Sequence, residues 1–266
     1  MILSLYFKTI ILTFSRIFKG LMSNIHFFDA NSGSGNLGDL EKTLVVNNLL
    51  SIPLEKRDNE WVAEFIDNIA EANLAVSEPE IIMSSEGFPY FNLRSVEPGE
   101  NFQAYVIQNK LPVLLQNGFG VALNTRKQDP DWMFSYGDLL NYAIRKEFYT
   151  EDHHFAQNNQ DFVIGSDEEI LVGQPSEEIL PDYARQQIRE FLQFSGVKNP
   201  MVMLIARNYN DEEKVTQDLV FNVSPRNFSN DKEYQAAMNT ISWFLPKHYS
   251  LVGMDAESTG TGFQPL

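Results

Sequence analysis

The stretch Ile170 to Ala206 constrains this chain more than any other. Ile170-Leu-Val172 has the aliphatic make-up of a short strand, and Gly173-Gln174-Pro175 stops it with a sharp turn. Ser176 or Pro181-Asp182 then opens a helix in which Tyr183, Ile188, Phe191, Leu192 and Phe194 can point inward. Ser195-Gly196 ends it, because glycine enters the left-handed conformation of a helix stop without steric cost. Met201-Val-Met-Leu-Ile-Ala206 has no polar position, which predicts a central strand covered on both faces.

The flanking segments extend this unit. Asp161-Phe-Val-Ile-Gly165 reads as a further short strand, and Asn208 to Glu213 as a polar hairpin tip. Asp218 to Val223 is the returning strand, stopped by Pro225. Asp231 is placed to cap a helix carrying Tyr234, Met238, Ile241, Trp243 and Phe244, and Tyr249 to Met254 makes a last strand. From Ile170 the order is β-α-β-β-α-β, which predicts a ferredoxin-like split βαβ domain with both helices packed on one sheet face.

The N-terminal half is mixed as well. Asp39 can cap a helix whose apolar face includes Leu40, Leu44 and Leu50. Asp58 or Asn59 can cap a second with Trp61, Val62, Phe65, Ile66 and Ile69 at helical spacing. Strands are expected around Leu74–Val76, Ile81–Met83 and Phe88–Leu93, with Ser84-Ser85-Glu86-Gly87 as a turn. Tyr105 to Leu115 fits a helix broken near Pro112, Gly118 to Asn124 a buried strand entered through glycines, and Ser135 to Phe148 a helix. The expectation is an α+β chain of two mixed domains: 22–150 and 161–266, joined by a linker over 151–160.

The first 21 residues differ from the rest. They are aliphatic and aromatic with Lys8, Arg16 and Lys19 spread through them and no acidic residue. Those cations interrupt any transmembrane run, and neither the charge placement nor a small-residue cleavage site fits a signal peptide. A basic amphipathic helix on a membrane surface is one reading; a mis-assigned start ahead of Met22 is the other, and the favoured one.

Several function classes are excluded or weakened. The formal charge of −16 argues against nucleic acid and anionic membranes, both of which reward basic patches. The absence of cysteine removes disulfides, thiolate metal sites and cysteine nucleophiles, and suits a reducing compartment. Gly33, Gly35 and Gly38 spell G-x-G-x-x-G, but Leu40–Leu50 leads into Ile52-Pro53 and another helix rather than a second strand. A dinucleotide site therefore does not form, and no cofactor is expected. Adjacent His153 and His154 cannot easily face one ion, and neither His26 nor His248 stands at a partnering spacing, so no metal is expected. No G-x-S-x-G, H-E-x-x-H or G-K-[ST] signature occurs, and no catalytic residue is assigned.

Two sets of residues carry a family resemblance. Val172-Gly-Gln-Pro175, Ile179-Leu-Pro-Asp-Tyr183, Gly196-Val197 ahead of the apolar strand, and Phe263 resemble the C-terminal domain of the SseB (enhanced serine sensitivity) family. Leu40-Glu41 opening a helix, Phe65 running to Leu74-Ala-Val76, and Gly118-Phe-Gly-Val-Ala-Leu-Asn124 ahead of a helix resemble its N-terminal domain. The resemblance implies a non-catalytic cytoplasmic protein that binds another protein, with a tie to serine or sulfur amino-acid metabolism. An acidic chain favours a basic partner. The alternative is a small-molecule-binding protein, or an enzyme with an unrecognised site.

For the motif residues, packing is the first reading: Pro175 and Pro181 shape turns, Gly173 takes positive φ, and Tyr183 fills the core. The candidate partner-binding residues are Gln174, Glu177, Glu178, Asp182 and Arg185 at the rim of the helix. Arg185 and Arg189, four apart, could bind a carboxylate, with Glu190 and Glu178 as competing neighbours.

Overall fold

The computed structural model describes residues 37–97, 99–125, 129–156, 170–208, 215–258 and 262–266. The leader over 1–21, Gly33 and Gly35, the strand expected at Asp161–Gly165 and most of the hairpin tip lie outside them. The fold is α+β in two compact units, divided between Ser135 and Tyr136.

In the first unit, α1 (Leu40–Leu50) and α2 (Asn59–Ile69) lead into β1 (Ala75–Met83) and β2 (Pro89–Arg94). Then α3 (Ile107–Gln116) crosses to β3 (Gly120–Leu123), and β4 (Trp132–Phe134) follows. The sheet order is β1-β2-β3-β4, with β2 and β3 parallel and the outer pairs antiparallel.

Local chemistry explains most of these elements. The Asp39 carboxylate accepts from the N–H groups of Glu41 and Lys42 at 2.8 and 3.0 Å, and Asp58 accepts from Trp61 at 2.9 Å. Trp61 is buried, stacked on Phe65 with ring centroids 4.9 Å apart, and its indole N–H donates to the Leu49 carbonyl. In the Ser84–Gly87 turn, Gly87 has φ 89°.

Two expectations are corrected here. The β1 strand is continuous across its expected break, with a register shift between Val76 and Ile81. Likewise α3 runs through Pro112; the backbone bond lost there is offset by burial of Ile107, Leu111, Leu114 and Leu115.

The second unit begins with α4 (Tyr136–Arg145), followed by β5 (Ile170–Gly173), α5 (Asp182–Phe194), β6 (Met201–Asn208) and β7 (Val215–Phe221). It is completed by α6 (Asp231–Phe244), β8 (Leu251–Gly253) and β9 (Gln264–Pro265). The α4 helix, read from sequence as part of the N-terminal half, packs on α6: the Tyr136 ring lies 5.2 Å from Phe244, edge-on.

The expected element order holds, but the split βαβ pairing does not. The sheet runs β5-β6-β7-β8 in chain order, antiparallel until the parallel β7–β8 pair, while β9 pairs the first two residues of β6. Once β5 and β9 share one edge of β6 and β7 takes the other, no place remains for the interleaved order. The β6 strand is covered on both faces as expected: Val202, Met203 and Ile205 are all buried. Helix α5 ends at Gly196, φ 100°, where the Val197 N–H donates to the Leu192 carbonyl. Helix α6 is capped by Asn230, not by Asp231, which forms its first turn.

Candidate functional site

The first unit contains a cleft of about 730 Å³, built from one face of α1, the middle of β1, and the segment that leaves β2. Leu44, Asn47, Asn48, Leu50 and Ser51 line one wall, Ser77 and Asn124 lie on the sheet side, and Arg94 to Glu97 with Glu100 form the rest.

Asn124 orders the sheet side. It holds a left-handed backbone at φ 55°, which asparagine tolerates better than most residues. Its side-chain carbonyl accepts from the Ser95 N–H at 3.0 Å, and its amide donates to Asp131 Oδ2 at 2.7 Å. On the opposite wall, Asn47 Nδ2 donates to the Val96 carbonyl at 3.4 Å. The Arg94 guanidinium is held by both carboxylate oxygens of Glu100, and that pairing raises its pKa against the opposing effect of burial. Glu100 also accepts from the Glu97 N–H at 3.2 Å, closing a turn through Gly99 at φ 80°.

Two residues of this lining also carry a fully buried polar atom, shielded from the cleft itself, that has no partner within the described residues: Ser77 Oγ and Asn47 Oδ1. Ser77 is only 1% exposed. A buried hydroxyl without a hydrogen bond is costly, and most native ones find a partner. Sequence reading missed this site. Its residues come from distant segments, and a lone serine in a strand carries no local signal.

A second feature lies in the second unit. His153 and His248, unpaired by any sequence spacing, come together with ring centroids 5.0 Å apart. His153 Nδ1 and His248 Nε2 are buried without partners among the described residues. Burial first, then His153, then Arg145 push the His248 pKa down to about 4. Among the described residues no group of three or more His, Cys, Asp or Glu is placed to hold a metal ion.

The five candidate residues of the Gln-Pro turn sit together on the second unit. The Gln174 amide donates to the Gly262 carbonyl at 2.7 Å, and Glu177 accepts from the Asp182 N–H at 3.0 Å. Arg185 donates to the carbonyls of Leu180, at 2.8 Å, and Pro175, so its guanidinium clamps the turn. Glu178 and Asp182 are exposed. Arg189 donates to the main-chain oxygen of Leu266 at 2.7 Å, and Glu190 accepts from Gln186. The two arginines thus bind main-chain oxygens of their own unit. Gly173 does not take positive φ, and a Cβ there would meet nothing within 4 Å. Gly38 of the G-x-G-x-x-G sequence is a packing glycine, since a Cβ there would lie 2.2 Å from the Glu71 carbonyl.

No helix of the described residues is long and apolar enough to cross a membrane. What fold and cleft define is a two-domain α+β protein with an open cleft of mixed, mainly apolar lining in its first unit. Comparison with protein-family models, with curated proteins and with solved structures finds no match.

Proposed function

We propose that this is a non-catalytic, SseB-like cytoplasmic protein that acts by binding a protein partner, in a process tied to serine or sulfur amino-acid metabolism. The family and the process rest on the motif residues alone. One observation carries the binding reading. Leu40 and Leu44, expected in the core, face solvent at 75% and 63% exposure, and Leu37 beside them is 67% exposed. The core contacts of α1 are made by Leu50 of that expected face, with Val46 and Leu49. Asp39 and Glu41, both exposed, border the leucines.

An apolar strip with acidic neighbours, on a chain of charge −16, suits a partner whose apolar contact face is ringed by Lys or Arg. A second copy would meet the strip with like charge. The test compares affinity capture by the wild-type protein and a Leu40→Glu/Leu44→Glu variant, at low and high salt. The expected result is a basic protein lost both in the variant and at high salt. Equal capture by both forms overturns the reading, as does no enrichment at low salt or self-association of the purified wild-type protein alone.

The cleft favours a second reading, in which the first unit holds a small molecule, as a binding protein or an enzyme with an unrecognised site.

A further inference from the structure

We infer that the partner presents a basic amphipathic α-helix, laid along α1 so that it covers the leucine strip and runs on into the cleft of the first unit. This rests on the protein-partner reading and deepens it. Strip and cleft are one surface, because Leu44 belongs to both. Along α1 and its C-cap, Leu40, Leu44, Asn48 and Ser51 recur at steps of four, four and three residues, which puts them on one stripe of the helix. All four are exposed, and the last three line the cleft, where Leu50 and Val96 add apolar surface.

The repeat of that stripe selects the backbone of the occupant. Leu40 to Ser51 is eleven residue steps. At ~1.5 Å per residue the stripe is roughly 17 Å long, so its three steps average about 5.5 Å. A second helix returns side chains to one face every ~5.4 Å, and a strand every ~6.6 Å. A strand falls out of step by about 3 Å over the stripe, whereas a helix stays in register with it. Charge selects the polar face. Asp39 and Glu41 border the strip, Glu97 lines the cleft, and all three are exposed. The nearby bases are already engaged, Lys42 by Glu71 and Arg94 by Glu100. Lys or Arg flanking the apolar face of the helix therefore complements both ends of the surface.

The test titrates the full chain against labelled peptides of about 15 residues, long enough to form a helix on binding, and follows fluorescence anisotropy. The first peptide contains leucine, lysine and alanine, with leucine at every third and fourth position. The second has the same composition with its leucines spread around the helix, the third a central proline, and the fourth glutamate for every lysine. The first should bind saturably, with Kd of the order of ten micromolar at low salt, and the other three about tenfold more weakly or worse. Leu40→Ala/Leu44→Ala, in the strip, and Asn48→Lys, in the cleft, should each weaken the first peptide by about tenfold or more. All three positions are exposed, so the fold is kept, which circular dichroism checks. Equal binding of the rearranged, proline or acidic peptide overturns the inference, as does unchanged affinity in either variant. Capture of a protein that depends on Leu40 and Leu44, with no binding of the first peptide, overturns the helix and leaves the protein-partner reading standing.

Discussion

Arg57 and Asp131 form an ion pair at 2.7 Å in which the two side chains are only 6% and 0% exposed. The same carboxylate accepts from Asn124 through its other oxygen, and the guanidinium also lies over the Trp61 ring at 4.5 Å. The pair therefore ties the segment after α1 to the loop that orders the cleft. Arg57→Met leaves a buried carboxylate without its cation and should cost about 3–5 kcal/mol. Urea denaturation of the variant checks this, and a loss below about 1 kcal/mol would show that the pair is not a stabilising tie.

Ser77→Ala has the opposite expectation. Removing a buried hydroxyl that has no partner should leave stability unchanged or raise it by up to about 1 kcal/mol. Thermal unfolding of the free protein measures this. A clear drop in Tm would mean that the hydroxyl is satisfied in solution.

His248 gives a pH-dependent term. Its pKa falls from an ordinary 6.5 to about 4 in the folded state, so between those values the unfolded chain binds more protons. Stability contributed by the neutral ring is thus complete above the upper value and is lost as pH falls through the window. The groups acting on the ring are His153 and Arg145, with Phe155 and Tyr249 packed beside it. Denaturant midpoints taken down this range should fall more steeply for the wild type than for His248→Gln. Parallel curves would contradict the assignment.

Gly137 and Gly173 make a contrasting pair. A Cβ on Gly137 would lie 1.8 Å from the Leu245 carbonyl, where α4 meets the end of α6, and backbone cannot yield as a flexible side chain can. Gly137→Ala should cost about 3 kcal/mol or more. Gly173→Ala meets open space, and by restricting the unfolded chain it should be neutral or stabilising by up to about 1 kcal/mol. Reversal of that order in chemical denaturation would show that α4 does not dock as described.

Features set by neighbours in sequence were legible before the structure. The caps at Asp39 and Asp58, the stop at Gly196, the core role of Trp61 and the apolar β6 strand all follow from local rules. What was not legible is long-range. Arg57 and Asp131 are 74 residues apart, and nothing in either segment names the other. Leu40 and Leu44 fit an inward face by periodicity alone, yet which stripe of a leucine-rich helix is buried depends on what docks against it. The sheet order of the second unit was misread for the same reason: β-α-β-β-α-β is an order along the chain, and pairing is decided by which edges of β6 are taken. The cleft is the extreme case, since its lining is gathered from α1, the middle of β1, the segment after β2 and Asn124.

The parallel pairs β2–β3 and β7–β8 have a consequence for how each unit assembles. A hairpin such as β6–β7 joins strands that are close along the chain, whereas Leu219 meets Leu251 only after the whole of α6 has been laid between them. In the first unit, Tyr90 and Gly120 face the same constraint across α3. Closing these longer loops forfeits more chain entropy before any contact repays it. Two units with different strand plans thus share one requirement in their parallel pairs, the return of the chain over a crossover helix.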